Sequence, residues 1–364
     1  MPKLQVLQAV GQLNYGGIEV WLRRLLECCD PAQLGFDFLC LADYDSPLKK
    51  SLEQLGARVF TTSPGRLKKT LGEMLETGHY DAVHSHIWMR SGLALGVARS
   101  AGIPVRIAHL HNTDDGKPRT VRRRAYLFMM RRMIRRNATC LVGCSQAAVS
   151  IIGAAESAGS ANRLVMPCGF DLDYFSRRPH RNEARKIFGI PGDATVIGNV
   201  ASLTAQKAPL AFVDIARGIA SLIPDSWFLW TGDGPLRNRV EAAAHEHGLG
   251  RRFVLTGVAA DTRAAYAAMD LLLFPSIYEG FGVVVAEAAV CGLPTVVADI
   301  AGAREAASLA SGSRLYEAGN TRAGVEAVIA SLGSSGNLTA EGREILDIHE
   351  QARRLGSIYA GESP

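Results

Sequence analysis

Glu279-Gly280-Phe281-Gly282-Val283-Val284-Val285-Ala286-Glu287 decides the reading of this chain, because of what stands on either side of it. Leu271-Leu272-Leu273-Phe274 precedes it, closed by Pro275-Ser276. Ala288-Ala289-Val290-Cys291-Gly292-Leu293-Pro294 follows, and then a second apolar run, Thr295-Val296-Val297-Ala298. The pattern predicts strand, glycine loop, short helix, strand, which is the crossover unit of a parallel sheet. Such sheets take ligands at the carboxyl ends of their strands, where loops meet helix N-termini. Glu279 falls in the loop and Glu287 on the helix. Two carboxylates beside a place that favours anionic ligands make sense if the ligand brings hydroxyls for them to accept from, with a phosphate held nearby by backbone amides.

Working outward, apolar runs alternate with helical patterns along the whole chain. The first half offers strands at Leu4–Val10, Phe36–Leu41, Tyr80–Val83, Val105–His109 and Thr139–Val142. The second offers Thr195–Val200, Trp227–Trp230, Phe253–Leu255, Leu271–Phe274 and Thr295–Val297. This alternation predicts an α/β fold with parallel sheets. Ten strands exceed one doubly wound sheet of ordinary width, and 364 residues suit two domains. We therefore expect two Rossmann-like domains, residues 1–175 and 176–340, joined through a linker near 172–192, and a tail helix, Glu341–Tyr359, within residues 341–364. Hydrophobic residues make up 48% and charged ones 21%, as in a water-soluble globular protein. The N-terminus is too polar for a signal peptide, and no apolar run nears the ~20 residues that span a bilayer. Seven cysteines without paired metal spacing fit a reducing cytoplasm.

The net charge of +5 is uneven. Residues 1–172 hold 22 lysines and arginines against 14 acids, and the remainder 18 against 21. The excess centres on residues 117–136, with nine basic residues and no acid. Tyr126, Leu127, Met130, Met133 and Ile134 recur there at helical spacing. This amphipathic basic helix suits an anionic membrane surface, or simply packs its apolar stripe on the core. No stacking or groove-reading pattern accompanies the charge, so nucleic acid is not expected.

Several other stretches sit where ligands bind. Asn14-Tyr15-Gly16-Gly17-Ile18-Glu19 follows the first strand and opens a helix, as a phosphate-approaching loop or an ordinary turn would. His84 and His86, like His109 and His111, end strands. They can bond a sugar or move a proton, or be satisfied by their surroundings, and no familiar zinc set is completed. Gly143-Cys144-Ser145-Gln146 loosely resembles a nucleophile elbow but lacks its last glycine, so Ser145 is read as a helix cap. Asp43-Tyr44-Asp45 and Asp171-Leu172-Asp173 both read D-x-D, and both are taken as turn or cap residues. Lys207 lies in the loop after the first strand of the second half. It is suited to neutralising a leaving diphosphate, although a loop lysine is usually just solvated.

Taken together these stretches resemble the retaining GT-B glycosyltransferases of family 4. Glu279 to Glu287 resembles their E-x7-E pattern, and Gly16-Gly17-x-Glu19 their N-terminal glycine loop. Ile107-Ala108-His109-Leu110-His111-Asn112 is similar to their strand ending in histidine. Val165-Met166-Pro167-Cys168-Gly169-Phe170-Asp171 through Phe175 resembles their P-x-G-[VI]-D-x-x-x-F, and Gly232-Asp233-Gly234-Pro235 their G-x-G-P turn. The matches keep the family order over residues 11–305.

The resemblance implies two Rossmann-like domains facing a cleft, with the C-terminal helix crossing back to the first. It implies a nucleotide-diphosphate-sugar donor, a UDP-sugar first among them, and no metal. By that analogy Glu279, Lys207 and His111 are catalytic. Gly16, Gly17, Ser202, Gly232, Phe281, Gly282, Val283 and Glu287 bind the donor, Glu287 through its ribose hydroxyls. The acceptor would be a saccharide or lipid-linked saccharide of bacterial polysaccharide or lipopolysaccharide assembly. The enzyme would be cytoplasmic, touching the inner face of the plasma membrane through residues 117–136. One departure stands out: the family's second diphosphate-binding cation, an arginine, is replaced at Ser202. Loss of such a contact is worth roughly 2–4 kcal/mol of transition-state stabilisation. It keeps open a non-catalytic nucleotide-sugar-binding protein, beside other GT-B chemistry such as a phosphorylase or epimerase.

Overall fold

The structure, a computed structural model, describes residues 3–13, 16–42, 46–153, 162–259 and 261–362. It divides into two compact units, Met1–Asp171 with Ile345–Pro364, and Leu172–Glu344.

Unit 1 is built on seven strands: β1 (Leu4–Val10), β2 (Leu34–Cys40), β3 (Arg58–Thr61), β4 (Ala82–Ser85), β5 (Val105–Leu110), β6 (Cys140–Gly143) and β7 (Asn162–Val165). Their order is β3-β2-β1-β4-β5-β6-β7, and every pairing is parallel. The helices between them are α1 (Gly17–Cys28), α2 (Pro47–Gln54), α3 (Leu67–Thr77), α4 (Ser91–Ser100), α5 (Val121–Asn137) and α6 (Gln146–Ser150). Central strands such as β2 are buried along their whole length, which is why they read as continuous apolar runs. The edge strands β3 and β7 were not anticipated. Lying at the sheet edges, they carry mostly exposed and half-buried positions, with Leu164 of β7 buried, and leave no apolar run to see.

Unit 2 opens with α7 (Leu172–Ser176) and α8 (Arg181–Ile187). Then follow β8 (Thr195–Val200), α9 (Pro209–Leu222), β9 (Ser226–Thr231), α10 (Arg237–Glu246), β10 (Phe253–Gly257) and α11 (Arg263–Ala268). The unit continues through β11 (Leu271–Phe274), α12 (Val283–Val290), β12 (Thr295–Ala298), α13 (Ala301–Ser308), β13 (Ala310–Ser311), β14 (Ser313–Tyr316), α14 (Thr321–Ser331) and β15 (Asn337–Leu338). Its parallel sheet runs β10-β9-β8-β11-β12-β14, and β13 pairs with β15 alone. The stretch around Glu279–Glu287 is the strand, loop, helix and strand expected of it. Phe212, Phe228 and Trp230 centre the core, with Trp230 edge-on to Phe212 at 5.3 Å.

The tail departs from the single helix Glu341–Tyr359. It forms α15 (Ala340–Leu346) and α16 (Ile348–Tyr359), broken at Asp347. Phe170 causes the break by backbone pairing: its amide donates to Leu346 O at 2.9 Å and its carbonyl accepts from Ile348 N at 3.3 Å. The Asp347 carboxylate then caps α16, accepting from His349 N at 2.8 Å. α16 buries Ile348, Ala352, Leu355, Ile358 and Tyr359 in the core of unit 1, beside Trp21, Leu22 and Leu25 of α1.

A buried arginine ties the start of unit 2 to its sheet. Arg185 on α8 donates to Ala268 O at 3.0 Å, Gly192 O at 2.6 Å and Asp270 Oδ2 at 2.8 Å. The same Asp270 oxygen accepts from Val196 N on β8 at 2.8 Å. Arg181 also pairs with Asp270, at 2.8 Å, so Arg185→Ala leaves that carboxylate matched but strips the Ala268 and Gly192 carbonyls of this donor, and it should destabilise unit 2 by about 2–3 kcal/mol. Hydrogen exchange of the β8 and β11 amides reads this directly, and unchanged exchange there would show the clamp to be dispensable.

Candidate functional site

Both sheets reverse their winding at one point, between β1 and β4 in unit 1 and between β8 and β11 in unit 2. Loops leave such a point in opposite directions, so the strand ends there stay uncovered for a ligand.

In unit 2 the loops after β8 and β11 meet. Gln206 Nε2 donates to Tyr278 O at 3.0 Å, and Ile277 N donates to Gln206 O at 2.8 Å. The next residue, Lys207, ends a 3-10 turn, Ala205–Lys207. Ala208 follows in the left-handed region (φ 48°), and Pro209 starts α9. This strained joint turns Lys207 toward β11. Its Nζ pairs with Glu279 Oε1 and lies 5.9 Å from the centre of the Phe274 ring. The lysine side chain is 23% exposed and the Glu279 side chain 8%, so one end of the pair meets solvent.

Glu287 lies buried on α12 and accepts from the Tyr266 hydroxyl at 2.7 Å. Sequence reasoning did not single out Tyr266. Nothing in its spacing points to Glu287, because the two meet only when α11 and α12 pack. Gly282, at φ 93°, begins α12 without a side-chain cap, and Phe281 is buried behind it. Gly232 follows β9 at φ 141°, and a Cβ there would stand 2.0 Å from Ala201 O. Only glycine lets these two chain segments pass. Ser202 is exposed, its hydroxyl 3.5 Å from that of Thr204. Among the described residues, Asn199 Nδ2, Thr231 Oγ1 and Ser276 Oγ are buried without a protein partner. They fall at the ends of β8, β9 and β11, the edge where Lys207 and Glu279 sit.

The remaining predicted residues, Gly16, Gly17 and His111, belong to unit 1. Asn14 and Tyr15 lie outside the described residues. Gly16 is the N-cap of α1, its carbonyl accepting from Val20 N at 3.0 Å with no side-chain cap, and a Cβ on Gly17 would touch nothing within 4 Å. No packing inside the unit calls for a glycine there. Glu19, in the first turn of α1, is buried, and burial pushes its carboxyl up to about 7.

The four histidines do not stand separately. His84 Nε2 lies 3.2 Å from His109 Nδ1, and His86 Nδ1 lies 2.8 Å from His111 Nε2. His84, His86 and His109 offer nitrogens close enough together for a metal ion. Every ring nitrogen of the four nevertheless has a protein partner. The others are Tyr359 Oη, Gln8 Oε1, Met166 O and Cys168 Sγ. Burial holds all four imidazoles well below the usual histidine range, His109 down to about 3, so all are neutral. Trp21 packs edge-on to His109, its ring centre 5.2 Å away. Its Nε1 donates to Gln351 on α16 at 2.8 Å.

The lesser motifs resolve simply. Ser145 caps α6, accepting from Ala148 N at 3.0 Å. Asp171 and Asp173 stand at the start of α7, and Asp43-Tyr44-Asp45 lies outside the described residues. Of the basic helix, Leu127, Met130 and Ile134 are buried as expected. Its other face carries exposed Val121 (83%), Phe128 (64%) and Met129 (51%). Arg122, Arg124, Arg132 and Arg136 are exposed beside them. Among the described residues no helix is long and apolar enough to cross a membrane.

Comparison with known proteins agrees with this geometry. Residues 16–169 match a family model described as "Glycosyl transferase 4-like domain", and residues 194–334 one described as "Glycosyl transferases group 1". The chain is 28% identical over 303 residues to the putative glycosyltransferase EpsF of Bacillus subtilis (strain 168), covering 81% of this chain and 79% of EpsF. It is 29% identical over 240 residues to the UDP-Gal:alpha-D-GlcNAc-diphosphoundecaprenol alpha-1,3-galactosyltransferase of Escherichia coli, covering 64% and 61%. Among solved structures, Anabaena HepE in complex with UDP-glucose superposes with a TM-score of 0.74 at 21% identity, over 98% of this chain and 95% of HepE. The fold is GT-B.

The buried Glu19 carboxyl makes the stability of unit 1 depend on pH. Its folded pKa lies above the unfolded value, so the folded state holds the proton more tightly. The cost of ionising it is absent below about pH 4.5, grows up to about pH 7 and is constant above. Glu19→Gln should therefore stabilise the protein by about 3 kcal/mol at pH 8 and by nothing at pH 4. Urea unfolding of unit 1 at the two pH values checks this; an equal effect at both would refute the assignment.

Proposed function

The chain belongs to the group 1 glycosyl transferases, and from that premise we propose that it moves a sugar from a nucleotide-diphosphate-sugar to an acceptor hydroxyl with retention of anomeric configuration. The observation that carries this reading is the Lys207–Glu279 pair, set where the unit 2 sheet reverses and followed on α12 by Glu287. As the glycosidic bond breaks, negative charge builds on the leaving diphosphate. An ammonium has three protons, and Glu279 takes one. Lys207 and the amides of Phe281, Gly282 and Val283 then supply the balancing charge without a metal. Glu279 lies by the donor sugar. Glu287, oriented by Tyr266, accepts from the ribose hydroxyls. Gly232 and Ser202 border the same strand ends. In unit 1 we assign His111 and the open approach at Gly16 and Gly17 to substrate contact.

We take the donor to be a UDP-sugar, supported by HepE, solved with UDP-glucose, and by the E. coli relative, named for UDP-Gal. That relative's name also carries a diphosphoundecaprenol acceptor, which supports a saccharide or lipid-linked saccharide acceptor here and a role in cell-surface polysaccharide synthesis. The outward face of α5 fits the membrane that would hold such an acceptor. Val121, Phe128 and Met129 can enter the interface while the flanking arginines meet anionic headgroups.

Two experiments test these readings. UDP-, GDP-, ADP- and dTDP-sugars are screened by thermal shift, and transfer from the stabilising donor is followed by anomeric proton NMR. Lys207→Ala and Glu279→Ala should each lower kcat about 10²–10³-fold while circular dichroism shows the fold retained, and EDTA should be without effect. Full activity in both variants, or an inverted product, would overturn the mechanism. Phe128→Ser combined with Met129→Ser should abolish co-sedimentation with phosphatidylglycerol vesicles and leave stability intact. Undiminished binding would assign α5 a different role.

A further inference from the structure

The histidine cluster has one consistent arrangement of protons, and it starts from a carbonyl. A carbonyl only accepts, so His109 Nε2, 3.2 Å from Met166 O, carries the proton. In a neutral His109 the other nitrogen, Nδ1, then accepts, and His84 Nε2 donates to it at 3.2 Å. His84 Nδ1 is left as an acceptor, and the Tyr359 hydroxyl donates to it at 2.7 Å. Having given its one proton, Tyr359 Oη accepts from Gln8 Nε2 at 3.3 Å. That fixes the amide, so Gln8 Oε1 faces His86 Nε2, which donates at 2.9 Å. His86 Nδ1 accepts from His111 Nε2 at 2.8 Å. His111 Nδ1 remains as an acceptor, met by the Cys168 thiol at 3.6 Å. Reversing any link leaves two donors or two acceptors face to face. The whole cluster is buried or half-buried, where an unmatched polar group is expensive. Burial and the nearby Glu19 carboxylate push the Cys168 thiol up to about 12, so it keeps the proton it donates.

We propose that Tyr359, on the C-terminal helix, and Gln8, on β1, are positioning residues that set the proton on His111 Nε2 and so present its Nδ1 to substrate as a hydrogen-bond acceptor. A sugar hydroxyl donates to that nitrogen in place of the thiol, a weak donor. This rests on the assignment of His111 to substrate contact. It adds which atom acts, in which state, and which remote residues enforce it. Tyr359 lies 248 positions from His111 along the chain. Without its hydroxyl the Met166 carbonyl still fixes His109 and His84, but Gln8 loses the partner that fixes its amide. The amide can then turn over, and His86 and His111 turn over with it.

Long-range proton–nitrogen NMR of the full chain, with nitrogen-15 in its histidines, reads each tautomer directly. In the unaltered protein at neutral pH all four are expected as Nε2–H. A His111 protonated on Nδ1, or on both nitrogens, would overturn the proposal, and that spectrum needs no variant to fold. In Tyr359→Phe, His84 and His109 should keep their signals while those of His86 and His111 shift toward a mixture of tautomers. Unchanged His111 signals would show that Tyr359 does not set it. A near-equal mixture halves the competent fraction, so apparent donor affinity falls only about twofold, and the tautomer is the decisive readout. Full transfer activity in His111→Ala, with the Nε2–H pattern of the other three intact, would instead defeat the substrate assignment and leave the proton arrangement standing.

Discussion

A parallel sheet that changes its direction of winding leaves one place where no helix covers the strand ends. Both units are built on that constraint. In unit 1 the reversal sets β1 beside β4, which ends in His84 and Ser85 and is followed by His86. In unit 2 it brings the loop of Lys207 against the loop of Glu279. The hydrophobic cores lie under these places and give them rigid floors: Trp21 below the histidines, Phe274 below the lysine.

Charged and titratable groups gathered at such a point are costly when buried unmatched. The two units solve this in different ways. Unit 2 keeps its charges and pairs them, with one end of the Lys207–Glu279 pair open to solvent. Unit 1 removes charge from its histidines. Its histidines are too buried to protonate and are satisfied as neutral rings, each donating through one nitrogen and accepting through the other. The first arrangement suits a developing negative charge. The second suits recognition of a hydroxyl, which needs direction more than charge. The return of the chain to unit 1 completes that match: α16 supplies Tyr359 to His84, and Gln351 to Trp21, Gly169 and Pro167.

Much of the fold was legible because buried strands leave apolar runs and the central ones stand out. Of the strands without an apolar run in the sequence, β3, β7 and β14 lie at sheet edges and carry few buried positions, and β13 and β15 are only two residues long. The tail was read as one helix because helical periodicity runs through Asp347; the break comes from Phe170, a residue far away in the chain. At the site, Glu279 and Glu287 stand out because two carboxylates near a helix N-terminus are odd beside an anionic ligand, whereas Lys207 gains its role only from the family resemblance. Tyr266 and Tyr359 do not stand out, since their spacing fits core packing equally well.

The two-sheet α/β architecture, the glycines near its strand ends and the kinds of side chain available there can be read from the amino-acid sequence. Those follow from local periodicity and backbone sterics, which neighbouring residues settle among themselves. Which side chains meet depends instead on how distant elements pack: Lys207 with Glu279, Tyr266 with Glu287, and Tyr359 with His84. That packing governs the charge state of the histidines as well. Burial and a single carbonyl at Met166 fix their protons, and both depend on how strands far apart in the chain come together.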